Sequence, residues 1–130
     1  MQIDFETLNK IKNNTYTKLK DGIYDAYLLS VDYSETGNYN IPTVNFTFEV
    51  GNKKTIKGLF LTDKKGMLIK FNKQKLDRYI AIITGEYPEY NRRHGLKDII
   101  EHCKFDKIPV KLILMTPIAS MYQNFTMEFE

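Results

Sequence analysis

Pro42-Thr-Val-Asn-Phe-Thr-Phe-Glu-Val-Gly-Asn-Lys-Lys-Thr-Ile-Lys-Gly-Leu-Phe-Leu-Thr62 is the stretch on which the fold turns. Val44, Phe46, Phe48 and Val50 alternate with Thr43, Asn45, Thr47 and Glu49, the period of a strand with one buried face. Gly51-Asn52 then supplies turn chemistry, because both residue types tolerate positive φ. A second strand is predicted over 55–61. Ile56 and Phe60 share one of its faces with Gly58 between them and are expected in the core with Phe46 and Phe48. Lys57 lies on the opposite face with Leu59 and Leu61. A two-stranded hairpin is not stable alone in water, so the rest of the chain must close over it.

Working outward, Asp21-Gly22 marks a turn into a long first strand, predicted over 23–33. Tyr24, Ala26 and Leu28 mark one face, then Leu29 and Val31 the other. Such a switch is the signature of a β-bulge, which bends a strand toward a barrel. Residues 34–41 form a polar loop carrying Tyr39, and Pro42 is placed at the start of the second strand because it cannot donate to a ladder. Beyond the hairpin, Asp63-Lys-Lys-Gly66 is a turn. Asn72 is a candidate N-cap for a helix over 73–84, with Leu76, Tyr79, Ile80 and Ile83 at helical spacing and Gly85 as C-cap. Residues 86–95 read as a loop, and Leu96, Ile99, Ile100 and Cys103 as a short second helix. A strand is predicted over 108–115, with Val110, Leu112 and Leu114 inward, and a last one from near Met121, in which Phe125, Met127 and Phe129 alternate. At the other end, residues 1–20 read as a short helix or arm, with Phe5, Leu8 and Ile11 on one side and Asp4 as cap.

With 130 residues, 42% hydrophobic and 27% charged, the chain suits a single globular domain. No apolar run is long enough to span a bilayer, and the N-terminal sequence lacks the basic and apolar regions of a signal peptide. One cysteine, Cys103, precludes an intramolecular disulfide, and together these features point to the cytoplasm. The net charge of +3 is modest, but its distribution is not. Lys53, Lys54, Lys57, Lys64, Lys65, Lys70, Lys73 and Lys75 follow one another with Asp63 as the only acid among them. A basic stripe in a near-neutral protein is the footprint of a polyanion partner, and a solvated lysine face is the competing reading.

The order of three strands, a helical section and two strands is that of the five-stranded OB-fold barrel, with a helix between strands three and four. A plain α+β sheet with helices on one face is the other architecture compatible with it. The two differ in whether the first strand contacts both the second and the fourth. The run Gly22-Ile-Tyr-Asp-Ala-Tyr-Leu28, a loop with Ser34 and Gly37, the alternation Val44-Asn-Phe-Thr-Phe-Glu-Val50, Gly51, Lys57-Gly58, the helix, and Asp106-Lys-Ile-Pro-Val-Lys-Leu-Ile113 resemble the single-stranded-DNA-binding proteins of bacteriophages. The resemblance covers roughly residue 22 to the end. It implies an OB-fold, homo-oligomerisation with a dimer favoured, and sequence-tolerant binding of single-stranded DNA in phage DNA replication or DNA recombination, in the host cytoplasm. Bacterial members usually end in a long acidic tail that recruits partners. Here Glu128-Phe129-Glu130 follows directly on a strand, so recruitment of replication or recombination proteins through such a tail is not expected.

A single-strand binder needs cations for phosphates and aromatic faces for bases. The candidate cations are Lys53, Lys54, Lys57, Lys64, Lys65, Arg92 and Arg93. The candidate aromatic faces are Tyr33, Tyr39, Phe71 and Tyr122, with Tyr27 a further one on the first strand. Each competes with core packing, which large aromatics dominate. The spacing of His94, His102 and Cys103 fits no four-ligand zinc pattern. Asp25, Asp32 and Glu35 lack the second acidic cluster that a two-metal nuclease needs. No phosphate loop or nucleophile motif is present. The expectation is a non-enzymatic protein without cofactor or metal, and the alternative is an OB-fold module that binds a host or phage protein.

Overall fold

The alternation from Pro42 to Phe60 folds into the hairpin it requires. The computed structural model describes residues 16–87 and 95–130. Its elements are β1 (Gly22–Thr36), β2 (Ile41–Val50), β3 (Lys53–Phe60), α1 (Lys70–Thr84), α2 (Leu96–Glu101), β4 (Ile108–Met115) and β5 (Asn124–Phe129). The strands make one five-stranded sheet in the order β3-β2-β1-β4-β5. β1 therefore lies between β2 and β4, the neighbours that an OB-type arrangement assigns to it. β3 and β5 are the edges, and the sheet is not closed into a barrel. Among the described residues no helix is long and apolar enough to cross a membrane.

The chain divides into two compact units. The first holds the starts of β1 and β3, the end of β2, and β4 with β5; the second holds the remaining strand segments and both helices. In the first unit β4 pairs antiparallel with β1, Ala26 facing Val110 and Tyr24 facing Leu112, and with β5, Leu112 facing Met127. Ala26, Leu28, Phe48, Val110, Leu112, Phe125 and Met127 are buried there, and the Phe48 and Phe125 rings meet edge to face at 6.0 Å. In the second unit the Tyr79 ring of α1 meets Phe46 edge to face at 5.8 Å. Val31, Val44, Leu59, Leu61, Leu76, Ile80, Ile100 and Cys103 complete that core. In β1 burial passes from Ala26 and Leu28 to Val31, an odd step that moves the buried face as the residue pattern predicts.

β3 differs from the expectation. Ile56 and Phe60 are exposed, while Leu59 and Leu61 are buried. The turn supplies the reason. Gly51 takes a left-handed φ of 61°, giving a two-residue turn. Pairing then sets Phe48 opposite Thr55, Phe46 opposite Lys57 and Val44 opposite Leu59. A hydrogen bond of 3.0 Å from the Leu61 N–H to the Pro42 carbonyl confirms that register. Cross-strand partners share a face, so an inward Phe48 draws Thr55, Lys57 and Leu59 inward and turns Ile56 and Phe60 out.

One helix start and one strand start also differ. α1 begins at Lys70 with Ile69 as its N-cap, and Asn72 lies inside the first turn, where its amide donates to the Phe60 carbonyl at 2.8 Å. Gly85 caps the C-terminus as expected, its N–H donating to the Ala81 carbonyl at 2.8 Å. β5 starts at Asn124 rather than near Met121, because Ser120 and Tyr122 close a turn on each other. The helix expected around Phe5, Leu8 and Ile11 lies outside the described residues. Residues 16–20 form neither helix nor strand. In the first unit they link to β3 and to the approach to β5: the Thr17 N–H donates to the Lys54 carbonyl at 2.6 Å, and Gln123 donates to the Leu19 carbonyl at 3.0 Å.

Candidate nucleic-acid interface

The basic run sorts by exposure. Lys53, Lys54, Lys64, Lys65 and Lys70 are exposed. Lys57 is half-buried on the inward face of β3, which corrects its expected place on the outer face. Lys73 pairs with Asp77 one turn on at 2.6 Å. Lys75 is 8% exposed, and burial first, then the charge of Arg78, lowers its pKa. Lys53 and Lys54 belong to the first unit, and the other exposed lysines to the second.

In the second unit the link from β3 to α1 is tightly built. Thr62 and Leu68 form an antiparallel bridge, and the Ile69 N–H donates to the Leu61 carbonyl at 2.8 Å. The Asp63 carboxylate accepts from the backbone N–H groups of Lys65 and Met67 at 2.8 and 2.9 Å. The one acid in the basic run is thus turned into its own loop, and Lys64 and Lys65 stand at the loop's tip. Beside them Phe60 is 42% exposed and Phe71 is 72% exposed, and Met67 and Leu68 are exposed as well. Sequence reasoning placed Phe60 inside; register counting through the Gly51-Asn52 turn would have placed it outside.

The outer face of β2 and β3 in this unit is shaped by Gly58. A Cβ there would lie 3.3 Å from both Asn45 Oδ1 and Thr43 Cγ2, so a larger residue would push Asn45 aside. The Asn45 amide crosses to β1 and donates to Ser34 Oγ at 2.7 Å. The lane is polar and is flanked on β3 by the exposed side chain of Phe60.

The remaining aromatic candidates separate. Tyr39 is exposed in the β1–β2 turn. Tyr33 is half-buried; burial first, then the Glu35 carboxylate, raises its pKa. Tyr27 is covered by the Lys107 ammonium, 4.6 Å from the ring centroid. Tyr122 is exposed in the first unit, in the β4–β5 link that also exposes Ile118 and Met121, and Met115 is exposed at the end of β4. The stretch 116–123 contains no charged residue. Arg92, Arg93 and His94 lie outside the described residues.

Asp25 on β1 and Asp21 just before it are engaged by sequence-distant groups of the first unit. Asp25 meets Lys111 at 3.0 Å, and Asp21 accepts from the Thr116 N–H, the Thr116 hydroxyl and Gln123. Among the described residues no group of three or more His, Cys, Asp or Glu side chains could hold a metal ion. The Cys103 thiol is buried, which raises its pKa. The chain matches no protein-family model and no curated protein.

Proposed function

We propose that this chain is a non-enzymatic single-stranded-DNA-binding protein. Exposed lysines capture the phosphate backbone, and bases then settle on exposed aromatic faces. The observation that carries the reading is the excess of exposed cations along 53–70: Lys53, Lys54, Lys64, Lys65 and Lys70 are exposed, and the one acid, Asp63, accepts from the N–H groups of its own loop. Phosphate contacts of this kind are independent of sequence, so binding is sequence-tolerant. In this reading the fold is a five-stranded OB-fold left open between β3 and β5. The position of β1 between β2 and β4 supports it. The setting is phage DNA replication or recombination in the host cytoplasm, with the protein acting as a homo-oligomer.

A second reading rests on the link between β4 and β5. Its uncharged stretch exposes Ile118 completely, with Met121 and Tyr122 beside it. Exposed apolar clusters mark protein contacts, and this one suits a second copy of the chain better than a polyanion. Tyr122 moves to that reading.

A gel shift with a labelled oligo-dT and a duplex of equal length tests the main reading. The single strand should be retained at a protein concentration that leaves the duplex free. Equal retention of both, or of neither, contradicts it.

A further inference from the structure

The link from β3 to α1 joins two features that the basic run alone does not display. One is a rigid frame. The Thr62–Leu68 bridge, the Asp63 turn and the Asn72-to-Phe60 hydrogen bond of 2.8 Å fix the end of β3, the loop and the first turn of α1 to one another. The other is a mixed surface on that frame. Phe60, Met67, Leu68 and Phe71 are exposed apolar groups, and Lys64, Lys65 and Lys70 stand among them in sequence.

We infer that this β3–α1 junction is a base-stacking site for single-stranded DNA, with Phe71 and Phe60 as the faces and Lys64, Lys65 and Lys70 as the phosphate contacts. The inference rests on the proposed single-strand binding and assigns it a place. Charge complementarity selects the occupant. An apolar partner surface would not be matched by three exposed lysines beside a single carboxylate that accepts from its own loop's N–H groups. A polyanion without flat apolar groups would leave both rings unused. A single strand presents both phosphates and unstacked bases, and base–aromatic stacking is indifferent to sequence. The frame fixes the backbone that carries the rings before binding, so ordering of that backbone does not oppose association.

The test uses fluorescence anisotropy with two strands of equal length, oligo-dT and an abasic strand, across several salt concentrations. Phe71→Ala and Phe60→Ala should each weaken oligo-dT binding by between about fivefold and about a hundredfold. They should leave the abasic strand unaffected and the salt slope unchanged. Lys64→Ala, Lys65→Ala and Lys70→Ala combined should weaken both strands and flatten the slope by about two units, at roughly 0.7 per contact. If the parent binds oligo-dT and the phenylalanine variants bind it equally well, the junction is not the stacking site, as would follow if it served an acidic protein segment instead. Equal losses on the two strands also overturn it, since the rings would then not be reading bases. A parent that binds neither strand removes this inference together with the function on which it rests.

Discussion

Leu59→Ala and Phe60→Ala, made separately, probe the register of the hairpin. Leu59 is 5% exposed and sits opposite Val44 in the second unit, whereas Phe60 is 42% exposed on the other face. Truncating a buried leucine forfeits its transfer free energy and leaves a cavity, together about 2–5 kcal/mol. Truncating Phe60 removes a larger group, but one already partly hydrated and not enclosed. At about 25 cal/mol per Å² of the area it covers, roughly 1 kcal/mol is expected. With a urea dependence of about 2 kcal/mol/M, a 3 kcal/mol loss moves the midpoint by about 1.5 M. Urea unfolding followed by far-ultraviolet circular dichroism should therefore show a clearly lower midpoint for Leu59→Ala and a small shift for Phe60→Ala. The reverse ordering would refute the register, because only an inward Phe60 can cost more than Leu59.

Asn72→Ala should cost about 1 kcal/mol in the same assay, since the Phe60 carbonyl loses a side-chain donor without gaining another. Lys75→Met tests the buried ammonium. Its pKa in the folded chain is below 10.5, so between the folded value and 10.5 the unfolded chain holds more protons and parent stability rises with pH. The parent should gain on Lys75→Met through that window, and parallel pH profiles would show that Lys75 is not desolvated. Changing Ile118 and Met121 to Ser should reduce self-association in sedimentation velocity while leaving oligo-dT affinity unchanged; an unaltered sedimentation coefficient would remove the β4–β5 link from any contact between copies.

Much of this molecule is legible in local pattern. Strict alternation located β2, the apolar run from Ile108 located β4, and Leu76, Tyr79 and Ile80 ahead of Gly85 located α1. Each is a strong single-period signal with a stop residue beside it. β3 is different, because Ile56 and Phe60 on one face are as apolar as Leu59 and Leu61 on the other. Alternation could not choose between them. The choice is made across the turn, where Phe48 pulls Thr55 inward. The same nonlocal effect sorts the lysines. A basic run names the charges but not their faces, so Lys57 looked equivalent to Lys64 and Lys65. Asn72 has the chemistry of a cap, but the Lys73 N–H already donates to the Ile69 carbonyl, which starts the helix earlier and frees the amide for Phe60. Tyr39 and Tyr122 proved exposed because turn-rich segments carry them to the surface. Tyr33 sits on a strand, where its neighbours decide.

The salt dependence of oligo-dT binding by the parent protein bears most directly on the proposed function. Each phosphate contact contributes about 0.7 to the slope of log affinity against log salt for single strands. Three to five contacts from Lys53, Lys54, Lys64, Lys65 and Lys70 give a slope between about −2 and −3.5. Anisotropy titrations over a tenfold range of salt should return a value in that interval. A slope near zero, or no binding at the lowest salt, would contradict electrostatic capture of single-stranded DNA by these lysines.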